Sequence, residues 1–287
     1  MKWLVVALAK LYLKINFRGY GFLNYQVFSR ITNRNITVNV HGYSKFNISL
    51  TDPYWNFLLI QDYRHEPEIG FFLDKTLMPG TTFIDGGANY GYWTLKALEL
   101  LTENCVIAIE AASETYELLE ANLKLNRKSS ILYNCAISQK SGQTVDFETV
   151  GKYHAGASVT GKKDRSNISR NLETVSTISL DDITEGILSK RFVVKLDIEG
   201  SEIDGFRGAE KLLKKDTAII FEEISQKGEV CKYVLSQRGL KLAKINTNGT
   251  ITLVEEFAEA REIIINSKHG ANFVCIVSDS SFKSLII

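Results

Sequence analysis

The stretch TFIDGGANYGYWTLKAL, Thr82–Leu98, decides how this chain is read. An apolar run ends on an acid, Asp85; Gly86, Gly87 and Gly91 follow, and then an amphipathic run begins. Glycine loops between a strand and a helix usually cradle phosphates, because the helix start offers N–H groups and a positive dipole end. A dinucleotide loop reads GxGxxG, with an acid about 20 residues on. Here Gly87 and Gly91 stand four apart, Asn89 breaks the glycine pattern, and a carboxylate opens the loop. That carboxylate repels a pyrophosphate and suits a ligand that is cationic at this point.

S-adenosylmethionine (SAM) is such a ligand, with an ammonium group on its methionine end and a sulfonium beside it. Asp85 can accept from the ammonium, directly or through water. The methionine carboxylate can meet N–H groups at the start of the next helix. Gly86, Gly87 and Gly91 let the backbone approach closely. Glu110 ends the following apolar run, where a carboxylate can take both ribose hydroxyls. Asn89 and Ala136, the latter just past the run Ile131–Cys135, complete the candidate cofactor-binding set.

Outward from this loop the chain alternates. The pattern predicts strands at Thr82–Asp85, Cys105–Glu110, Ile131–Cys135, Phe192–Asp197 and Thr217–Phe221. Between them it predicts helices at Tyr90–Leu101, Glu114–Asn126 (capped by Ser113), Glu202–Leu213 and Lys227–Arg238. Terminal strands are expected near Lys241–Asn246 and Asn272–Val277. Gly142–Ser179 interrupts the rhythm with alternating runs that read as hairpin strands shaping acceptor choice. Such a chain belongs to the α/β class, with a mostly parallel sheet covered by helices on both faces. Ligands of these sheets bind beyond the carboxyl ends of the strands. Asp85, Glu110 and Asp197 end three strands, and Glu222 and Glu223 end a fourth.

The 287 residues are 45% hydrophobic and 23% charged, which is ordinary for a globular protein, and three prolines leave no room for long Pro-rich linkers. Cys105, Cys135, Cys231 and Cys275 are scattered and form no CxxC pair, so they read as reduced thiols rather than a zinc site or a disulfide framework. The charge is uneven: residues 1–51 hold seven basic residues and no acid, and a net charge of +1 leaves −6 for the rest. The opening run is too short to span a bilayer. Lys10, Lys14 and Arg18 fall on one helical face, and Trp3, Leu4, Leu8, Leu11, Tyr12 and Ile15 on the other. Two readings stay open for this amphipathic helix. It lies on an anionic membrane surface, or it docks on the catalytic domain or on a second copy in a homodimer.

Two blocks resemble the FkbM-type SAM-dependent methyltransferases. The first is FIDGGANYGYWTLKAL with VIAIEAASETYELLEANLKLN; the second is STISLDDI with VVKLDIEGSEIDGFRGAEKLL. YNCAISQKSGQTVDF between them also looks like the family, and the resemblance covers roughly Thr81–Glu223. It implies a Rossmann-like methyltransferase fold and O-methylation, often of sugar or polyketide hydroxyls. Residues 1–55 are then an extension, and residues 56–287 the methyltransferase domain.

Methyl transfer to a hydroxyl needs positioning and is helped by a base or a metal ion. Asp197 and Glu199 end the strand of the second block, and alternation puts Lys195 on the side of Asp197. A lysine in an apolar strand needs a partner, so one reading has Lys195 neutralise Asp197 structurally. Another makes Asp197 the base, and a third has Asp197 and Glu222 hold a divalent ion such as magnesium. His154, in GKYHAGASV, is a further candidate base. Glu202 reads as a first-turn helix residue favoured by the dipole.

The function expected is therefore O-methylation of a small-molecule or lipid-linked glycan acceptor, in the cytoplasm or peripherally at the inner face of the membrane. The alternatives are an NAD-dependent oxidoreductase on a similar sheet, which Asp85 disfavours, and a non-catalytic SAM-binding protein. Nucleic acid is not expected as a partner, because the basic end is too apolar for a nucleic-acid arm.

Overall fold

The structure is a computed structural model that describes residues 6–7, 35–50, 52, 54–60, 64–150, 158–159, 170–267 and 270–287. A hairpin comes first, β1 (Asn35–Val40) antiparallel to β2 (Ser44–Ser49), followed by a 3-10 turn at Trp55–Leu59 and a helix at Pro67–Thr76. Then come β3 (Thr81–Gly86), the helix Tyr92–Leu100, β4 (Val106–Ile109), the helix Ser113–Leu125 and β5 (Ile131–Tyr133). A second sheet follows, made of β6 (Ala136–Ile137), β7 (Thr144–Val150), β8 (Ser158–Val159) and β9 (Arg170–Ile178) in the order β6-β9-β7-β8. The chain then returns to the main sheet with β10 (Arg191–Leu196), the helix Glu202–Arg207, β11 (Thr217–Glu223) and the helix Glu229–Ser236. It closes with β12 (Leu240–Ile245), β13 (Ile251–Val254), the helix Phe257–Asn266 and β14 (Ala271–Val277).

The main sheet has the order β13-β12-β14-β11-β10-β3-β4-β5. β5, β4, β3, β10 and β11 are parallel neighbours, whereas β14 runs antiparallel between β11 and β12. This is the expected Rossmann-like arrangement. Successive residues point to opposite faces, so Phe83 and Val193 join one core while Ile84 and Val194 join the other. The first core takes the helices Pro67–Thr76 and Tyr92–Leu100 together with the hairpin residues Val38, Val40, Phe46 and Ile48. The second takes Phe206, Val234 and Ile264 from three later helices. Burying each such side chain stabilises the fold by about 1.5–3 kcal/mol.

Several elements differ from the sequence reading. The helix after the loop starts at Tyr92, because Asn89 and Gly91 adopt left-handed φ values of 51° and 89°. Ser113 is the first helical residue rather than a cap, and its Oγ bonds Glu173 and Asn134. The helix from Glu202 stops at Arg207, and Gly208 follows it, packed against the Ser138 carbonyl oxygen where no side chain fits. β13 and the helix Phe257–Asn266 were not anticipated. All four cysteines are free. No helix among the described residues is long and apolar enough to cross a membrane. The expected amphipathic helix Trp3–Ile15 lies outside the described residues apart from Val6 and Ala7, and Val6 packs against the first core.

Candidate active site

After β3 the chain moves outward through β4 and β5, and it later returns to β10 on the other side of β3. The carboxyl ends of β3 and β10 therefore form the switch point where open α/β sheets bind ligands. Thr81–Gly86 is buried throughout, so the loop leaves a rigid strand. Gly87 has φ 75°, and a Cβ there would fall on the Asp197 carbonyl oxygen. Only glycine allows the loop to pass so close to the end of β10. The Asp197 N–H bonds the Gly86 carbonyl at 3.0 Å, and this fixes the two signature blocks against each other.

The loop's own N–H groups are engaged within the protein. Gly87 and Ala88 both donate to the Ile109 carbonyl at 2.9 Å, and Gly91 donates to Ala88 at 2.9 Å. Asn89 donates to Glu110 Oε2 at 2.8 Å, and Tyr90 to Asn89 Oδ1 at 2.8 Å. The loop is thus pre-shaped, and these five N–H groups already have acceptors; the N–H groups expected to meet the methionine carboxylate are others, at the start of the helix Tyr92–Leu100.

Asp85 is buried, with Oδ2 accepting from Thr94 Oγ1 at 2.6 Å. Burial raises its pKa against the opposing pull of Lys195 and of the Thr94 hydrogen bond. Its Oδ1 is buried with no hydrogen-bond partner among the described residues. A cationic donor such as the SAM ammonium supplies what this atom lacks, so the residues present fit that ligand. Glu110 bridges two loops, with Oε1 accepting from Ala112 at 2.9 Å and Oε2 from Asn89. Burial pushes this carboxyl up to about 7, although N–H donation from Ala112, Asn89 and Ala111 opposes the shift. Ala136 lies on β6, buried among Ala112, Phe147 and Val175.

The second block delivers the predicted pairing, with Lys195 Nζ 2.8 Å from Asp197 Oδ2. Lys195 is 4% exposed. Burial opposes its charge, yet Asp197, Glu66 and Asp85 together hold its pKa above the ordinary lysine range. Glu199 is exposed and adopts φ 49°. Glu202 accepts from Gly200 at 3.0 Å and Ile198 at 3.3 Å, which makes it the brace of its own turn. The two acids that end β11 part company. Glu223 accepts from Ser225 and from Val230 at the start of the next helix. Glu222 is pushed up to about 8 by burial, then by the negative charges of Asp197 and Glu66, with Lys195 pulling the other way.

Glu66 and its partners His65 and Asn272 were not foreseen as site residues. Glu66 sits in the charge field of Lys195, with Oε2 3.2 Å from His65 Nε2 and Oε1 accepting from Asn272 at 3.1 Å. Burial would raise its carboxyl, but His65, Lys195 and Asn272 hold it at about 2. The segment that carries Glu66 is pinned to the loop, since Trp55 Nε1 donates to Asn89 Oδ1 at 3.0 Å and Tyr90 Oη donates to Asp52 at 2.9 Å. Rings of Trp55, His65, Tyr92 and Trp93 contact one another here. Glu66, Asn89 and Glu199 all have positive φ without being glycine, at 40°, 51° and 49°. Strain of this kind concentrates at functional sites, where the surroundings over-determine it.

His154 lies outside the described residues. The divalent ion finds no support: among the described residues no group of three or more His, Cys, Asp or Glu is placed to hold a metal, and Lys195 occupies Asp197 Oδ2.

An acid-led loop at the switch point of such a sheet accommodates a cationic donor, and the class defined in this way is the SAM-dependent methyltransferases. A profile of the Methyltransferase FkbM domain matches residues 85–273, about two thirds of the chain, and the chain belongs to that family. No curated protein matches significantly. Similar solved structures include the ribosomal protein L11 methylase from Lactobacillus delbrueckii subsp. bulgaricus, at 13% identity and TM-score 0.41, covering 74% of this chain and 76% of that one. An rRNA methylase from Streptococcus thermophilus is 12% identical, with TM-score 0.42 and coverage of 77% and 99%. The O-methyltransferase from Bacillus cereus in complex with SAH is 13% identical, with TM-score 0.40 and coverage of 75% and 83%. Likeness at these scores carries nothing about the acceptor.

Proposed function

We propose that the protein transfers a methyl group from SAM to a hydroxyl oxygen of a sugar, a glycan or a related hydroxylated metabolite. SAM-dependent methylation follows from family membership. The oxygen acceptor is supported by one observation: four carboxylates, Asp85, Asp197, Glu66 and Glu222, lie in the charge field of buried Lys195. An alcohol is a weak acid, and its attack is helped when a nearby base draws off the proton.

Bound SAM supplies a methyl carbon on a positive sulfur; as the acceptor oxygen bonds to that carbon, the carbon–sulfur bond breaks with its pair on sulfur, and the hydroxyl proton leaves. The protein's part is positional and electrostatic. Asp85 Oδ1 receives the ammonium, and Glu110, held by backbone N–H groups, meets the ribose edge. Lys195 fixes Asp197 beside the loop and keeps the carboxylates from repelling one another apart. We assign the proton to Asp197 or Glu222, and a carboxyl at about 8 is matched to proton transfer near neutral pH. The four free cysteines fit a reducing compartment, and we place the enzyme in the cytoplasm. Titration calorimetry with SAM and with NAD tests the reading. Binding of SAM alone is expected, whereas binding of NAD without SAM would overturn it.

A further inference from the structure

A cavity of about 760 Å³ opens between the helix Phe257–Asn266 and the ends of β12, β13 and β14. Its volume falls in the range of small-molecule sites. Ile245 ends β12 and Ala271 begins β14, and both line the cavity, so it lies at the same end of the sheet as Asp85 and Asp197. Two contacts join it to the active site. Asn272, in its wall, donates to Glu66 at 3.1 Å and to Glu68 at 2.9 Å. Gly270, also in its wall, lies against the Glu222 carboxylate so closely that a Cβ there would strike Oε1. The Glu222 carboxylate thus lies against Gly270 of the cavity wall and within the charge field of Asp197 and Lys195.

The lining has a definite chemistry. Among the described residues its charged groups are Glu68, Glu259, Glu262 and Lys244, and its other polar groups are amides and hydroxyls. Excess carboxylate repels an acidic ligand and accepts hydrogen bonds from hydroxyls. No aromatic side chain lines the cavity among the described residues, and its amides, hydroxyls and carboxylates select a ligand by hydrogen bonds.

We propose that this cavity seats the acceptor, a neutral hydroxyl-rich glycan chain, with its reacting hydroxyl at Glu222. The hydroxyl proton passes to the Glu222 carboxylate as the oxygen–methyl bond forms and the methyl–sulfur bond breaks. The assignment rests on the O-methyltransferase reading and adds to it the acceptor's place and charge. The same three carboxylates disfavour phosphate-bearing and uronate-bearing acceptors.

The test uses the full chain with methyl-tritiated SAM and two panels of oligosaccharides, one neutral and one carrying uronate residues. Transfer is expected into the neutral panel. Glu262→Lys is expected to raise the KM for the neutral acceptor about tenfold, the effect of one lost charge-assisted hydrogen bond. The same variant is expected to improve the uronate acceptor while SAM affinity by calorimetry stays at the wild-type value. Gly270→Ala, which displaces the Glu222 carboxylate, is expected to lower kcat more than it raises KM. A wild-type preference for uronate acceptors, or an unchanged KM in Glu262→Lys, would overturn the assignment. So would SAM binding with no transfer to any neutral glycan. Loss of SAM binding by the wild type would instead overturn the methyltransferase reading beneath it.

Discussion

Replacing Glu222 by Gln is expected to stabilise the protein at alkaline pH while it disables methyl transfer. Burial and the charges of Asp197 and Glu66 raise this carboxyl from an ordinary 4.5 to about 8. The folded chain thus holds the proton more tightly than the unfolded chain does. The stability this gives is complete below pH 4.5 and is lost as pH rises through 8. Full expression amounts to about 1.4 kcal/mol per pH unit across that window. Water at a partly exposed carboxyl screens the effect, and about 1–2 kcal/mol is the reasonable expectation at pH 8. Glutamine keeps the shape and has no charge to accommodate, so the variant and the wild type are expected to match near pH 4.5 and to diverge above it. Urea unfolding followed by tryptophan fluorescence at pH 5 and pH 8 reads the difference directly, since Trp55 and Trp93 are both buried. A stability difference that is the same at both pH values, or a variant less stable at pH 8, would refute the reasoning.

Asp85→Ala removes the proposed ammonium partner and is expected to weaken SAM binding about tenfold to a hundredfold by calorimetry, since a charged hydrogen bond contributes about 1.5–3 kcal/mol. Lys195→Met leaves Asp85, Asp197 and Glu66 without their shared cation and is expected to cost about 3–5 kcal/mol in urea unfolding at neutral pH. Treatment with a chelator is expected to leave turnover unchanged; loss of activity with recovery on magnesium add-back would restore the metal reading of Asp197 and Glu222. Val6 packs on the first core, so deletion of residues 1–18 is expected to lower the thermal midpoint. An unchanged midpoint with lost binding to anionic liposomes would favour the membrane reading of that segment.

The glycine loop was legible because its signal is local: an apolar run, an acid and glycines at fixed offsets place Asp85 on β3 whatever the rest of the chain does. The Lys195–Asp197 pair was legible for a similar reason, since strand alternation alone puts the two side chains together. Glu66 was not, because it enters the charge field of Lys195 only after Trp55 docks on Asn89 and the helix Pro67–Thr76 packs on the sheet. Nothing in DYRHEPEIG marks that approach. How the loop's own N–H groups are used was not legible for a related reason. Whether a loop N–H is available depends on its neighbours, and the Ile109 carbonyl from β4 takes two of them. FAEAREIIIN carries a helical pattern, with Ala260 and Ile264 buried on one face, and its helix passed unread beside the terminal strands. That omission hid the wall of the acceptor cavity.

The most direct test of oxygen methylation is to follow SAM labelled with carbon-13 in its methyl group, by NMR, as the enzyme acts on a neutral oligosaccharide. The account predicts that the label appears as a methyl ether on a sugar carbon, with S-adenosylhomocysteine formed in equal amount. Label recovered on nitrogen or as a carboxylate ester, or SAM bound and never consumed, would contradict it.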